Sequence, residues 1–539
     1  MQRILVFTIL AVAFALHAAA PPQGDARLRE LVVFPEINFT FNLRIECQND
    51  AWVITGQNPD LPGTIAEQRE QLKRQPEDVK RLMRLAYLLD SDGQTNESRS
   101  CYRKATQLCR AKIAAQPQDG FALTTLGAVL DALNDAGAEN AFRKATLVSS
   151  NDWRCWVGLG NFLAQEWFNP MFPTNLWKDL VPLQVPSPAL LAYRPSAEAL
   201  KRAESACAEA SRCYDCASAI ALTEPEVFLQ RAGFLFSSNW QACFFRHYRN
   251  NEEIPAKEWR LAFFSPACAA SLQKASRLAP KDYAMTTMAA YFTYFNALQQ
   301  SSPEKSDLSS LPSLSSLPAA SRELIHESMT RLENLSYDPD PKIAAGACEH
   351  LGFLDLTFGN NRATQENLRR AVALDPARDE AWDMLMATLL DSASPDELLS
   401  VCKSRLQAKD SVRNRILLGK IYAQKAGNWN EAAKQAEASC KLETNNVVPR
   451  LLLAAIALKQ SAQTNYLSIA DANLHTANDL LEKMPGSEEK VKRWREVTLD
   501  TAILFALENN LEFAKNWANA VLKNFPNDET AAEILKALN

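Results

Sequence analysis

Apolar side chains recur every three to four positions along most of the chain, the spacing of a helix that buries one face. The stretch 427–446, GNWNEAAKQAEASCKLETNN, shows it most clearly. Gly427-Asn428 reads as a tight turn, because glycine takes positive φ without steric cost. Ala432, Ala433, Ala436, Cys440 and Leu442 then fall along one narrow helical face of mostly small side chains. Just upstream, Ile416, Leu417, Leu418, Gly419 and Tyr422 mark a second helix. The resulting hairpin cannot cover its own apolar side, so copies must stand beside it.

Such copies begin near residue 65. Leu82, Leu85, Ala86 and Leu89 share one face, and Ser98, Tyr102 and Ala105 share the next. Leu123, Leu126, Gly127 and Leu130 pair with Ala138, Phe142 and Ala145, and Trp156, Leu159, Gly160 and Leu163 open a third unit. Gly127 to Gly160 is about one period of a two-helix solenoid. The best-formed copies are Trp156-x2-Leu159-Gly160, then Leu126-Gly127 with Phe142 and Ala145, and Leu351-Gly352 with Leu368, Ala371 and Pro376; Trp382-x2-Leu385 follows in phase. This order of large, Leu, small and large residues, answered by Ala, aromatic and Ala, resembles the tetratricopeptide repeat. The resemblance covers most of 65–300 and 320–539. It implies an all-α fold, an α-solenoid of helical hairpins, and a groove lined by the first helix of each pair that holds peptides or partner helices.

Departures from the pattern set the expected boundaries. Residues 1–20 read as a signal peptide and 21–64 as an N-terminal extension with a short extended or β segment, since Ile37–Ile45 alternates and Trp52–Thr55 follows a turn. One array is expected over 65–300 and a second over 322–539. Between them, 301–321, SSPEKSDLSSLPSLSSLPAAS, has the composition of an unpacked linker. Within the first array, 165–195 carries Pro170, Pro173, Pro182, Pro186, Pro188 and Pro195, dense enough to forbid helix over most of its length. A further interruption is expected at Asn239–Glu258. The first insertion also holds Trp167, Phe168, Phe172 and Trp177, which could anchor a partner or pack on the array itself.

The N-terminus changes the picture of where the chain works. Arg3, the apolar run Ile4–Leu16 and Ala18-Ala19-Ala20 have the layout of a secretory signal, and the run is too short to span a bilayer. The expectation is a cleaved leader and a secreted or periplasmic protein with no membrane segment after cleavage. The net charge of −5 gives no electrostatic reason to hold nucleic acid.

Candidate chemistry is sparse. There are 12 cysteines. Cys268, Cys348 and Cys402 sit where the repeat needs a small apolar residue, and disulfides are the alternative for an exported chain. Cys207, Cys213, Cys216, Cys243 and His247 contain zinc-ligand types, yet Tyr214 already fills the aromatic repeat position; a disulfide to Cys243 accounts for this cluster better than zinc does. No phosphate loop and no serine nucleophile elbow occurs. No catalytic, cofactor or metal residue is assigned. The expected function is a non-catalytic scaffold binding a protein or peptide partner; the alternatives are an enzyme with chemistry in 165–266 and a self-associating envelope component.

Overall fold

The computed structural model describes residues 24–35, 61–168, 196–250, 252, 258, 262–301, 314–390, 392–462, 465–484 and 486–538. Among them are 23 α-helices and no strand. Helix α1 (Gly24–Glu30) and helix α2 (Leu61–Arg74) come first. Pairs follow: α3 (Val79–Ser91) with α4 (Thr95–Ala115), α5 (Gly120–Ala132) with α6 (Ala138–Val148), and α7 (Trp153–Phe168) with α8 (Ala197–Ile220). Next are α9 (Pro225–Asn250) with α10 (Pro266–Leu278), α11 (Tyr283–Ser301) with α12 (Ala319–Leu335), and α13 (Pro341–Thr357) with α14 (Asn361–Leu374). The chain continues with α15 (Asp379–Leu389) and α16 (Pro395–Ala408), α17 (Val412–Gln424) and α18 (Trp429–Leu442), α19 (Val447–Lys459) and α20 (Asn465–Lys483), and α21 (Glu488–Leu507) and α22 (Leu511–Asn524). A closing α23 (Glu529–Ala537) completes it. Odd-numbered helices from α3 to α21 are therefore first helices of tetratricopeptide-type hairpins, and the fold is an all-α solenoid.

Local chemistry explains the register. Asp119 accepts the N–H of Ala122, Asp340 that of Lys342 with Pro341 following, and Asn428 that of Glu431. Each cap contributes about 0.5–2 kcal/mol. Gly427 has φ 63°, the left-handed turn that glycine permits, so α17 can reverse into α18. Gly127 lies against the Phe142 ring: a Cβ there would come within 2.9 Å of it. Small on α5 and aromatic on α6 is thus what lets this hairpin close. In α18 the buried stripe is Ala432, Ala436 and Ser439, while Leu442, expected on that face, is 51% exposed in the last turn.

The chain divides into two compact units, one of residues 41–381 and one combining 1–40 with 382–539; the division falls inside α15. In the first unit, neighbouring first helices pack directly, α5 on α7, α7 on α9 and α11 on α13. Its core around α9 to α13 is aromatic: Phe264 stacks on Phe295 at 4.9 Å, Tyr291 meets Phe295 at 4.6 Å, and Trp240 lies parallel to Phe263 at 5.8 Å. The unit's division differs from the expected one at 301–321, because α11 and α12 on either side of that stretch pack against each other and Leu317 is buried. Residues 302–313 lie outside the described set. The interruption expected at Asn239–Glu258 begins later: α9 runs on to Asn250, since no proline occurs before Pro255 and Trp240 and Cys243 bury against the aromatic core.

In the second unit, α17 packs on α19 and α19 on α21, forming a continuous face of first helices. Buried Asp383 on α15 lies 2.7 Å from Arg405 of α16 and 2.7 Å from Arg413 of α17, the first contact out of line for a hydrogen bond. Glu496 is 2.7 Å from Arg493, both buried. The alternating segment Ile37–Ile45 and Trp52–Thr55 lie outside the described residues.

Candidate functional site

Helix α1 and the non-helical residues after it lie across the first helices of the second unit: α1 packs on α19, α21 and α23. Leu28, Val32, Phe34 and Pro35 are buried in this position. Burial of these side chains offsets part of the conformational entropy lost on ordering the segment.

The polar contacts are directed mostly at main chain. The Val33 N–H donates to Asp500 Oδ1 of α21 at 2.8 Å. Lys420 Nζ of α17 donates to the Pro35 carbonyl at 2.6 Å, and Lys459 Nζ of α19 to the Glu30 carbonyl at 3.3 Å. Two side chains add to these: Arg29 Nε donates to Ser461 Oγ at 2.9 Å, and Arg27 pairs with Glu533 of α23. An acid accepting an amide proton and two ammonium groups capping carbonyls can grip a backbone largely without regard to its side chains. Selectivity is left to the apolar positions.

Asp500 is the centre of this arrangement. It is fully buried, and its Oδ2 has no hydrogen-bond partner among the described residues. Burial pushes its pKa well above the usual carboxylate range; the Val33 N–H and Lys459 oppose that, and Glu496 adds to it. Burial likewise lowers the Lys459 pKa, with Glu30 and Asp500 acting the other way. Sequence reasoning missed this site. The available signal was Glu496 and Asp500, four apart inside the largely apolar helix 494–507, which places two acids on one otherwise buried face.

Of the anchors expected from sequence, Trp167 and Phe168 fall in the last turn of α7, and Phe172 and Trp177 lie outside the described residues. The cysteines expected as core are buried: Cys268, Cys348 and Cys402. All 11 described cysteines are free, so the disulfide expected between the 207–216 cluster and Cys243 is not formed. Cys213 packs with Tyr214 in a different core from Cys243, while Cys207 lies against both cores as a free thiol.

A different triple does converge. One ligand atom each from Cys243, His247 and Glu258 lie within 4.8 Å of one another. These are zinc-ligand types. However, His247 Nε2 already meets Glu258 Oε2 at 2.8 Å, and Arg246 places a guanidinium 2.6 Å from the same carboxylate. A cation would have to displace that charge. Burial raises the Cys243 pKa, the reverse of what an activated thiolate requires.

No protein-family model matches the chain, and no curated protein matches it in sequence. Solved structures do align along most of its length. Yeast Tom70 is 14% identical, with 89% of this chain and 91% of that one covered and a TM-score of 0.29. Human IFIT1, solved as a dimer with PPP-AAAA, is 13% identical, with 95% and 98% covered and a TM-score of 0.27. The Cut9-Hcn1 hetero-tetramer of the APC/C is 13% identical, with 86% and 96% covered and a TM-score of 0.24. Overlap at these scores carries no argument about function. Among the described residues, no helix is long and apolar enough to cross a membrane.

Proposed function

We propose that this protein is a non-catalytic scaffold that works outside the cytoplasm and holds a peptide of a partner protein on the first-helix face of its second unit. The observation that carries the reading is the main-chain grip of Asp500, Lys420 and Lys459 on a peptide segment laid across α17 to α23. Tetratricopeptide-type architecture supports it, because stacked hairpins present a long face of side chains that the fold itself does not use. The charged and apolar layout of residues 1–20 supports export.

The test places a photo-cross-linking residue at position 420 on the first-helix face, and separately at position 434 on the outer helix α18, in the native host. Position 420 is expected to capture other proteins and position 434 to capture none. Equal capture at both, or none at 420, would sink the reading. Export is tested on the same material by sequencing the mature N-terminus; an intact Met1 on cytosolic protein would remove that part.

Cys243, His247 and Glu258 give a second reading some footing, a metal-dependent activity with its chemistry within residues 165–266. The Arg246–Glu258 pair and the raised thiol pKa count against it.

A further inference from the structure

We infer that residues 27–35 are an internal occupant of the partner site, and that the partner is a peptide of the same chemistry: two aliphatic residues four apart, then an aromatic residue and proline. The inference rests on the scaffold reading and adds the class of ligand and its regulation. Three observations carry it together.

First, the site recognises backbone. Asp500 takes an amide proton, and Lys420 and Lys459 take carbonyls. Another peptide in the same path meets the same three groups. Second, the apolar positions define what that peptide must bury, since Leu28, Val32, Phe34 and Pro35 are all withdrawn from solvent. Proline last in this set is compatible with the grip, because its carbonyl is used by Lys420 and its missing N–H is not needed. Third, Asp500 is a wholly buried carboxylate with one oxygen unpartnered. Such an atom costs free energy in the present state and is a poor choice for a contact meant only to fasten a terminus. It is suited to an acceptor that different ligands approach from slightly different positions.

The occupant is tethered, so it competes intramolecularly with any free peptide. A free peptide therefore binds weakly to the resting protein and strongly once the segment is displaced.

The experiment uses the full mature chain and a fluorescein-labelled peptide of sequence RLRELVVFPE, identical to residues 27–36. Binding is read by fluorescence polarisation for the unaltered protein and for a Leu28→Asp, Phe34→Asp double variant, with circular dichroism confirming that both remain helical. The double variant is expected to bind the peptide at least about tenfold more tightly. Equal, measurable binding by both would show that the face takes peptides but is not internally occupied; this overturns the inference and leaves the scaffold reading intact. No binding by either would overturn both. Hydrogen exchange on the unaltered protein provides the second measurement. The Val33 amide is expected to exchange slowly and to speed up when unlabelled peptide is added in excess. Fast exchange from the start would also overturn the inference, as would a dimer in which the segment crosses to a second copy.

Discussion

The two units solve one packing problem with different materials. In the first, the sides of α9, α11 and α13 are filled by rings, with Phe264, Phe292, Phe295 and Tyr291 in mutual contact. In the second, first helices bury acidic groups: Asp383 beside Arg405 and Arg413, Glu496 beside Arg493, and Asp500 under the N-terminal segment. Rings fill space without demanding partners, so an aromatic core tolerates neighbours of many shapes. Buried charge demands defined partners at defined distances. The first unit also buries Asp355 on α13, but the second holds more such groups, and it is there that a backbone is gripped.

If this contrast holds, removing a buried ionic partner should hurt more than crowding a hairpin. Arg405→Ala leaves Asp383, with a side chain 4% exposed, without its inner partner. The expected loss is about 3–5 kcal/mol in urea denaturation of the second unit, reduced to the extent that Arg413 compensates. A loss below about 1 kcal/mol would mean that the pair is not held as described. Next in size is Gly127→Val in the first unit, which forces the Phe142 ring aside. Overpacking of this kind costs about 1–3 kcal/mol. An unchanged denaturation midpoint would show that α5 and α6 can separate freely.

A third effect sharpens the contrast by pH. His350 is buried in the first unit, its Nδ1 3.0 Å from Thr287 Oγ1, and burial with the nearby Arg378 charge lowers its pKa to about 3. The folded state thus binds fewer protons than the unfolded state between about pH 6.5 and 3, and its stability falls as pH drops through that window. Asp500 has the opposite sign. Its raised pKa means that acidification favours the folded second unit. His350→Gln should flatten the acid limb of first-unit unfolding while leaving that of the second unit in place. An unaltered acid limb would remove His350 as its source.

How much of this could be read from the chain depends on which residues are asked. The hairpins were legible because Leu82, Leu85, Ala86 and Leu89, or Ala432 and Ala436, repeat a helical period that packing then honours. Leu442 misled because a periodic position in the final turn can still end up past the neighbouring helix. The site was hidden for a different reason. Asp500 matters only because Val33 reaches it from 467 positions away, and no local pattern encodes that contact.

That separation in sequence has a consequence for how the protein is made. Arg27 and Glu533, which pair in the finished fold, are 506 positions apart. A ribosome adding about 5–20 residues per second takes about 25–100 s to cover that distance. For most of that time Leu28, Val32 and Phe34 lack the α17 to α21 surface on which they come to rest. Through most of its synthesis each new molecule therefore carries a short greasy segment, open to whatever machinery handles emerging chains, until the helices that put it away have been made.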